Sequence, residues 1–289
     1  MASTRHPLPD WLGPAAAVAR WTVHSNLLVS LAATGAATTT SVLVDAPLDP
    51  LALFVVFAAT LFVYGADRVT DADADAANLP ARASFARRHG RRLLAAGVVL
   101  YAAAVALAAT RDVPHVEFVA LPVVAVAVYS GLRAKRVFLV KNLLVGAAWA
   151  AVPLGVGAYA HQLGDPHVWL LAGWTGAVIT VAAVVFDVKD VDGDAAAGIR
   201  TVPVVYDPAT ARRAAAAANV VLAAAVAVLV AASVLPARFL VLLALHAYVA
   251  AYVPFATPDR SALFYGLVVD GEHVALAVLA VALDAGGFL

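Results

Sequence analysis

Two groups of three aspartates, each at helical spacing, follow apolar segments that lie far apart in the chain. The first acidic motif comprises Asp67, Asp71 and Asp75, and the second comprises Asp187, Asp190 and Asp194. Residues spaced by three or four positions share one face of a helix, so each motif would present a row of carboxylates. The two stretches that contain them, 67–75 and 187–194, hold eight of the chain's 19 acidic residues.

Carboxylates in a row at the C-terminal end of an apolar helix repel each other and the negative end of the helix dipole. A bound cation would relieve both effects, and Mg2+ is the natural choice because it prefers carboxylate oxygens and shares its shell with phosphates. Two facing motifs would therefore hold a diphosphate through magnesium, with arginines and lysines as direct phosphate donors. The alternative is that these aspartates are only solvated at the ends of loops.

The composition is that of a helical membrane protein. Hydrophobic residues make up 63% of the 289 positions, charged residues make up 13%, and the mean hydropathy is +0.89. A soluble domain would carry about twice that share of charge. The absence of cysteine excludes thiol and disulfide chemistry, and a net charge of zero argues against a nucleic-acid partner.

The hydropathy pattern predicts an all-α, polytopic fold: about nine transmembrane helices in one bundle around a central cavity. The chain is expected to form a single membrane-embedded domain, 1–289, with 1–20 as a cytoplasmic N-terminal segment. The expected spans are 21–42, 49–67, 93–110, 115–132, 139–159, 167–187, 212–235, 239–256 and 264–283.

The basic residues support this topology. With the N-terminus in the cytoplasm, all of the 19 lysines and arginines except Arg111 and Arg238 fall on the cytoplasmic side, as the positive-inside rule requires. Both acidic motifs then emerge on that same side, in loops expected at 68–92 and 188–211. The sequence therefore predicts an integral protein of the plasma membrane whose site faces the cytoplasm.

Polar residues within the spans gather near their cytoplasmic ends, where such groups usually face a bundle interior or a cavity. The candidates are Asn26, Tyr129, Ser130, Lys141, Asn142 and Asp270. Tyr64 precedes Asp67 by three residues and should line the same face one turn deeper. Tyr129 could instead be an interfacial aromatic residue, and Asn142 could only bridge helices. His246, near the middle of a span, is expected to form an interhelical hydrogen bond.

The chain resembles the UbiA superfamily of intramembrane prenyltransferases, which have nine transmembrane helices and two aspartate-rich cytoplasmic motifs. The segment from Asp187 to Pro203, DVKDVDGDAAAGIRTVP, is similar to the family's second motif almost throughout. Further similarities are found at Asn26 in the first span and in the region from Tyr129 and Ser130 through Lys135 to Lys141 and Asn142.

The first motif departs from the family pattern Asn-Asp-x-x-Asp-x-x-x-Asp. Arg68 occupies the position of the first aspartate, while Asp67 lies at the asparagine position. The following segment keeps Asn78, Pro80 and Arg82 but has Leu79 and Ala83 in place of an arginine and a proline. Arg68 could contact diphosphate directly or pair with Asp71, and the number of metals at this motif is left open.

The resemblance implies Mg2+-dependent transfer of a prenyl group from a prenyl diphosphate to a lipophilic acceptor, such as a quinone precursor or an ether lipid, within the membrane. It implies metal ligation by Asp71, Asp75, Asp187, Asp190 and Asp194. The implied diphosphate contacts are Arg68, Arg82, Tyr129, Ser130, Lys135, Lys141 and Arg200, and further cavity candidates are Asn26, Tyr64, Asp67, Asn78, Asn142 and Asp270. The alternatives are a relative with altered or lost activity, such as a cyclase or an isoprenoid-binding protein, and an ion-coupled transporter.

Overall fold

The structure, a computed structural model, describes residues 13–70, 80–111, 113, 115, 119–120, 122–123 and 137–289. These residues form helices joined by short connections and contain no strand. The first six helices are α1 (Gly13–His24), α2 (Leu27–Leu43), α3 (Pro50–Thr70), α4 (Pro80–Thr110), α5 (Val140–Tyr159) and α6 (Pro166–Asp187). The remaining six are α7 (Val191–Ala196), α8 (Val202–Val205), α9 (Pro208–Ala231), α10 (Leu242–Tyr252), α11 (Ala262–Phe264) and α12 (Glu272–Ala285).

Seven helical segments in the described part of the chain are long and apolar enough to cross a membrane, and the bent pair α1–α2 raises the number to eight. The all-α, polytopic fold is confirmed. The expected count of about nine spans is not, because most of the span expected at 115–132 lies outside the described residues.

The span expected at 21–42 is not one straight helix. Helices α1 and α2 meet at an angle of 67°, and the break is at Asn26, whose backbone is in the left-handed conformation with φ 65°. Asparagine adopts this conformation more readily than most residues, because its short polar side chain tolerates it. The chain therefore forms an elbow at the residue that the sequence places at the site.

The loop expected at 68–92 is also shorter than predicted, since α4 already begins at Pro80 and runs for 31 residues. Proline is well suited to the first turn of a helix, and the alanines and arginines that follow favour helix formation. At 1.5 Å per residue, α4 is roughly 46 Å long and exceeds a hydrocarbon core of about 30 Å. Its arginine-rich first turns therefore extend α4 beyond the apolar layer.

Close helix crossings at glycines set the positions of the helices. Helices α5 and α6 pack together along their length, as do α3 and α4, and α2 lies between α3 and α12. A Cβ atom added at Gly146 of α5 would overlap Thr180 and the carbonyl oxygen of Gly176 on α6. A Cβ at Gly35 of α2 would lie 2.6 Å from the carbonyl oxygen of His273 on α12. Glycine allows the backbones of membrane helices to approach this closely.

The alternation of helix directions brings the end of α3 and the starts of α2, α4 and α5 to one end of the bundle, together with the end of α6. We call this the site end. Contacts of Arg68 with Asn26 and of Lys141 with Asp187 join these helices there. The opposite end is joined by an ion pair between Arg238 and Asp45 and by a hydrogen bond from Gln162 to the Val44 carbonyl.

Replacement of Gly146 by alanine should lower the thermal unfolding midpoint in detergent, because overpacking at the α5–α6 crossing costs about 1–3 kcal/mol. Gly155→Ala is the matched control on the same helix, since its added Cβ meets no atom within 4 Å. The control should leave the midpoint unchanged or raise it slightly. Equal midpoints for both variants would contradict the proposed role of the crossing.

Candidate functional site

A buried cluster at the site end joins the start of α5 to the end of α6. The Asp187 side chain accepts from both neighbours on α5: Lys141 Nζ lies 2.6 Å from Oδ1, and Asn142 Nδ2 donates to Oδ2 over 2.8 Å. Asp187 is 2% exposed and Asn142 is 1% exposed. A charge removed from water to this degree needs partners on both oxygens, and Lys141 and Asn142 supply them.

The second acidic motif continues into a short helix, α7, which turns the chain back toward the cluster. Asp190 pairs with its neighbour Lys189, and Asp194 Oδ2 lies 3.8 Å from Lys141 Nζ. Burial raises the pKa of the Asp194 carboxyl to about 6, although the Lys141 ammonium opposes that effect. Gly198 lies two residues beyond the end of α7 and has a φ of 68°, a left-handed conformation that favours glycine.

The carboxylate oxygens of this motif are the kind of ligand atom that a hard cation binds. Asp190 Oδ1 and Asp194 Oδ2 are buried and have no hydrogen-bond partner among the described residues, and carboxylate oxygens are the ligands that Mg2+ prefers. However, no group of three or more acidic or histidine side chains in the described ranges is arranged to hold a metal as it stands. The ligand atoms of this motif are therefore suitable for magnesium. In this structure, two lysines interact with the carboxylates instead.

On the other side of the site end, Arg68 near the end of α3 reaches the elbow between α1 and α2. Its Nη2 donates to Asn26 Oδ1, and the residue is 9% exposed. Its Nε and Nη1 atoms are buried without a hydrogen-bond partner in the part of the chain described here. Leaving a buried donor of a charged group without a partner costs about 1–3 kcal/mol or more of stability. A ligand that accepts a hydrogen bond from Nε or Nη1 would remove this cost.

Tyr64, one turn before Arg68, lies deeper in the bundle. Trp149 Nε1 on α5 donates to the Tyr64 hydroxyl over 3.0 Å, so a hydrogen bond ties α3 to α5. The Trp149 ring also lies 5.6 Å from the His273 ring on α12, centroid to centroid.

Asp270 interacts electrostatically with cations from two parts of the site end. Its carboxylate is within electrostatic reach of the Lys189 ammonium, near the second motif, and of the Arg82 guanidinium at the start of α4. It follows a π-helical turn at Tyr265–Val269 that connects α11 to α12. Such turns insert an extra residue and often occur at functional sites, because they redirect the side chains that follow.

Most of the predicted residues that the structure describes fall into three groups. Lys141, Asn142, Asp187, Asp190 and Asp194 lie together, Asn26 contacts Arg68, and Asp270 lies within reach of Arg82. Asp67 is half-buried beside Arg68, and Arg200 is exposed. The remaining predictions lie outside the described residues: Asp71, Asp75, Asn78, Tyr129, Ser130 and Lys135.

Sequence reasoning missed two residues of the site. Lys189 contacts Asp190, and its ammonium lies 5.4 Å from the centroid of the Phe186 ring. Its position inside the second motif was the available signal. Trp149 looked like a packing residue, and nothing in the sequence indicated its bond to Tyr64. The expected interhelical role of His246 is confirmed, since its Nε2 accepts from Trp174 Nε1 over 3.0 Å.

The Lys141–Asp187 pair should show strong thermodynamic coupling. Lys141→Met leaves the buried Asp187 carboxylate without its counter-ion, and loss of one partner of a buried pair costs about 3–5 kcal/mol. The double variant Lys141→Met/Asp187→Leu should recover part of that loss. Unfolding in detergent of the two single variants and the double variant gives the coupling energy by a double-mutant cycle. Simple additivity of the two single effects would contradict this prediction.

Comparisons with known proteins support a relationship over most of the chain. The model of the UbiA prenyltransferase family matches residues 27–265. None of the curated protein sequences matches this chain.

Three solved structures share the fold. A UbiA homologue from Aeropyrum pernix K1 in its apo form has a TM-score of 0.67 at 19% identity and covers 89% of this chain and 98% of its own. A UbiA homologue from Archaeoglobus fulgidus, bound to GPP and Mg2+, has a TM-score of 0.56 at 14% identity, with coverages of 90% and 99%. A structure of digeranylgeranylglyceryl phosphate synthase has a TM-score of 0.55 at 14% identity, with coverages of 93% and 99%.

The apolar helices and the family match together identify an integral membrane protein. Because the family model spans most of its length, the chain belongs to the UbiA prenyltransferase family.

Proposed function

We propose that this protein catalyses Mg2+-dependent transfer of a prenyl group from a prenyl diphosphate to a lipophilic acceptor within the membrane. The observation that carries the proposal is the site end, where carboxylates and cations face each other at the end of an apolar helix bundle. Family membership supports a prenyltransferase, and a solved structure with the same fold is bound to GPP and Mg2+. The protein is proposed to lie in the plasma membrane with the site end toward the cytoplasm.

The proposed metal ligands are Asp71, Asp75, Asp187, Asp190 and Asp194. In the described part of the site, Asp190 and Asp194 are the best suited, because each has a buried oxygen without a hydrogen-bond partner. Asp187 is already held on both oxygens by Lys141 and Asn142, and it would also fix the position of the Lys141 ammonium. Magnesium bound there would neutralise the charge that develops on the departing diphosphate.

The proposed diphosphate contacts are Arg68, Arg82, Tyr129, Ser130, Lys135, Lys141 and Arg200. Arg68 supports this role with unpaired buried N–H groups. Lys141 bridges Asp187 and Asp194, so an arriving diphosphate would meet an ammonium already placed beside the carboxylates. Charge-assisted hydrogen bonds from such groups are strong and directional. Positively charged side chains on α3 and α5 would contact the diphosphate from two sides.

In the proposed reaction the C1–O bond of the allylic diphosphate breaks, and its electron pair leaves with the diphosphate. The acceptor nucleophile forms a bond to C1 and then loses a proton. The apolar interior would hold the prenyl tail and exclude water, which would otherwise capture the allylic cation. Tyr64 and Asp270 are proposed to contact the acceptor, and Asn26, Asp67, Asn78 and Asn142 to line the cavity.

The class of acceptor would show in which biosynthetic pathway the enzyme acts. Quinone precursors and ether lipids are the proposed acceptor classes. The panel includes a glycerol ether phosphate, because a structure of digeranylgeranylglyceryl phosphate synthase shares the fold. The purified full-length protein is supplied with Mg2+, labelled prenyl diphosphates of several lengths, and acceptors of each class. The proposal requires labelled product and released diphosphate. Diphosphate binding without product from any acceptor would favour the isoprenoid-binding alternative.

Asp190→Asn should reduce turnover by at least about a hundredfold, because it removes a charged oxygen from the proposed metal site while preserving the shape of the side chain. Asp192→Asn is the matched control, two residues away on the exposed surface of α7. Product formation is measured for both variants across a range of Mg2+ concentrations. Wild-type turnover by Asp190→Asn at every Mg2+ concentration would refute the metal role of Asp190.

A further inference from the structure

Four arginines form an exposed surface on the first turns of α4. Arg87, Arg88, Arg91 and Arg92 are all exposed, and we call them the basic stripe. Positions spaced in this way lie within about 140° of each other around a helix, so the four side chains share one face. Helix α4 contains no acidic residue. The positive charge of the basic stripe is therefore not neutralised by side chains of its own helix.

The opposite face of α4 packs against the bundle. Ala83, Ala86 and Gly90 are buried, and a Cβ atom added at Gly90 would lie 3.3 Å from the Val69 side chain on α3. These buried positions recur every three or four residues, which places them on the face of α4 opposite the basic stripe. The stripe is therefore turned away from α3, the helix that carries the proposed diphosphate contact Arg68.

The same face of α4 continues deeper into the membrane as an apolar surface. Val98 and Val99 follow Arg91 and Arg92 by seven residues, or about two helical turns, so they lie on the same face. They are 45% and 67% exposed. In a helix that spans the bilayer, exposed apolar side chains at this depth are in contact with lipid chains. The basic stripe therefore lies on the lipid-facing side of α4.

The length of α4 places the basic stripe at the depth of the lipid headgroups. A hydrocarbon core of about 30 Å takes up about 20 residues of helix, and counting back from the end of α4 at Thr110 puts Arg91 at its boundary. Arg87 is one turn earlier, about 6 Å further out, and the headgroup layer on each side is about 5–8 Å thick. Phosphate groups of lipids lie in that layer.

A surface cleft adjoins the basic stripe. Ser84, Phe85, Arg88 and His89 line it, and its volume is about 210 Å³. A water molecule takes up about 30 Å³ in the liquid, so the cleft is large enough for a phosphate group. The serine hydroxyl, the guanidinium and the imidazole can each donate a hydrogen bond to a phosphate oxygen. The cleft therefore offers hydrogen-bond donors in addition to the charge of the stripe.

We propose that the basic stripe and the adjoining cleft bind the phosphate groups of anionic phospholipids in the membrane leaflet at the site end. Clusters of four or more basic residues beside a spanning helix attract anionic lipids, by about fivefold in affinity for each residue. The lipid-facing position and the headgroup depth favour a lipid phosphate over a soluble one. The inference does not depend on prenyl transfer, because none of the four arginines is a proposed diphosphate contact.

The test titrates the full-length protein in a neutral detergent with phosphatidylglycerol or phosphatidylcholine and measures bound lipid by native mass spectrometry. The wild type should bind the anionic lipid at least about fivefold more tightly than the zwitterionic lipid. The double variant Arg88→Gln/Arg92→Gln should lose roughly tenfold or more in phosphatidylglycerol affinity, with its phosphatidylcholine affinity unchanged. No preference for the anionic lipid in the wild type, or an unchanged affinity in the variant, would overturn the proposal.

Arg213→Gln/Arg260→Gln is the matched control, because it removes the same charge from two exposed arginines on other segments. It should bind phosphatidylglycerol as the wild type does, and a loss equal to that of the stripe variant would attribute the effect to net charge alone and contradict the proposal. Arg88→Lys/Arg92→Lys keeps the charge of the stripe and should keep most of the affinity. If this variant elutes as a folded protein but binds as weakly as the glutamine variant, recognition by charge is wrong.

Competition distinguishes a lipid headgroup from a soluble phosphate. At constant ionic strength, neither inorganic diphosphate nor glycerol phosphate should displace phosphatidylglycerol from the wild type. Displacement by either one would assign the basic stripe to a soluble anion and overturn its assignment to lipid. The measurement uses no prenyl substrate and no acceptor, so a failure of the proposed prenyl transfer would leave its result unchanged.

Discussion

Charged side chains inside an apolar bundle must be paired, and this constraint organises the site end of the protein. Lys141 and Asn142 satisfy both oxygens of Asp187, and Lys189 pairs with Asp190. Each of these contacts offsets a desolvation cost that a membrane interior makes large. The cluster can therefore hold its carboxylates close together because two ammonium groups offset most of their charge.

The helix packing is what brings these charges together. The glycine crossing at Gly146 lets α5 approach α6 closely enough for Lys141 and Asn142 to reach Asp187. The elbow places Asn26 in contact with Arg68. The π-helical turn precedes Asp270, a further carboxylate that interacts electrostatically with Lys189 and Arg82. The elbow and the π-helical turn both lie at the site end.

The resulting site has two unequal sides. The α5–α6 side is rich in carboxylates held by lysines, and it suits a cation that replaces those lysines as the partner of Asp190 and Asp194. The α3–elbow side carries an arginine with unpaired N–H groups, and it suits an anion directly. A magnesium-bound diphosphate with an apolar tail matches both sides and the interior below them, which is the physical basis for the proposed prenyl transfer. In the proposed reaction, Arg68, the departure from the family pattern, would contact the diphosphate directly.

The sequence by itself determined the membrane fold and the residues of the second motif. Long apolar runs require helices in a bilayer, because every backbone polar group must be satisfied within its own segment. Proximity in the sequence placed Asp187, Asp190 and Asp194 near one another, although a turn after α6 interrupts the single helical row that the spacing predicted. Arg68 stood out only as an anomaly, and its partner Asn26 lies 42 residues away.

Only the tertiary structure decided which distant residues meet. The pairing of Asp187 with Lys141 and Asn142, the bend at Asn26 and the bond between Tyr64 and Trp149 join different helices. No local pattern encodes such contacts, because they depend on how closely helices cross and on which faces they turn toward each other. The sequence identified most charged residues of this site but not Lys189, and the packing determined which of them found an ion-pair partner.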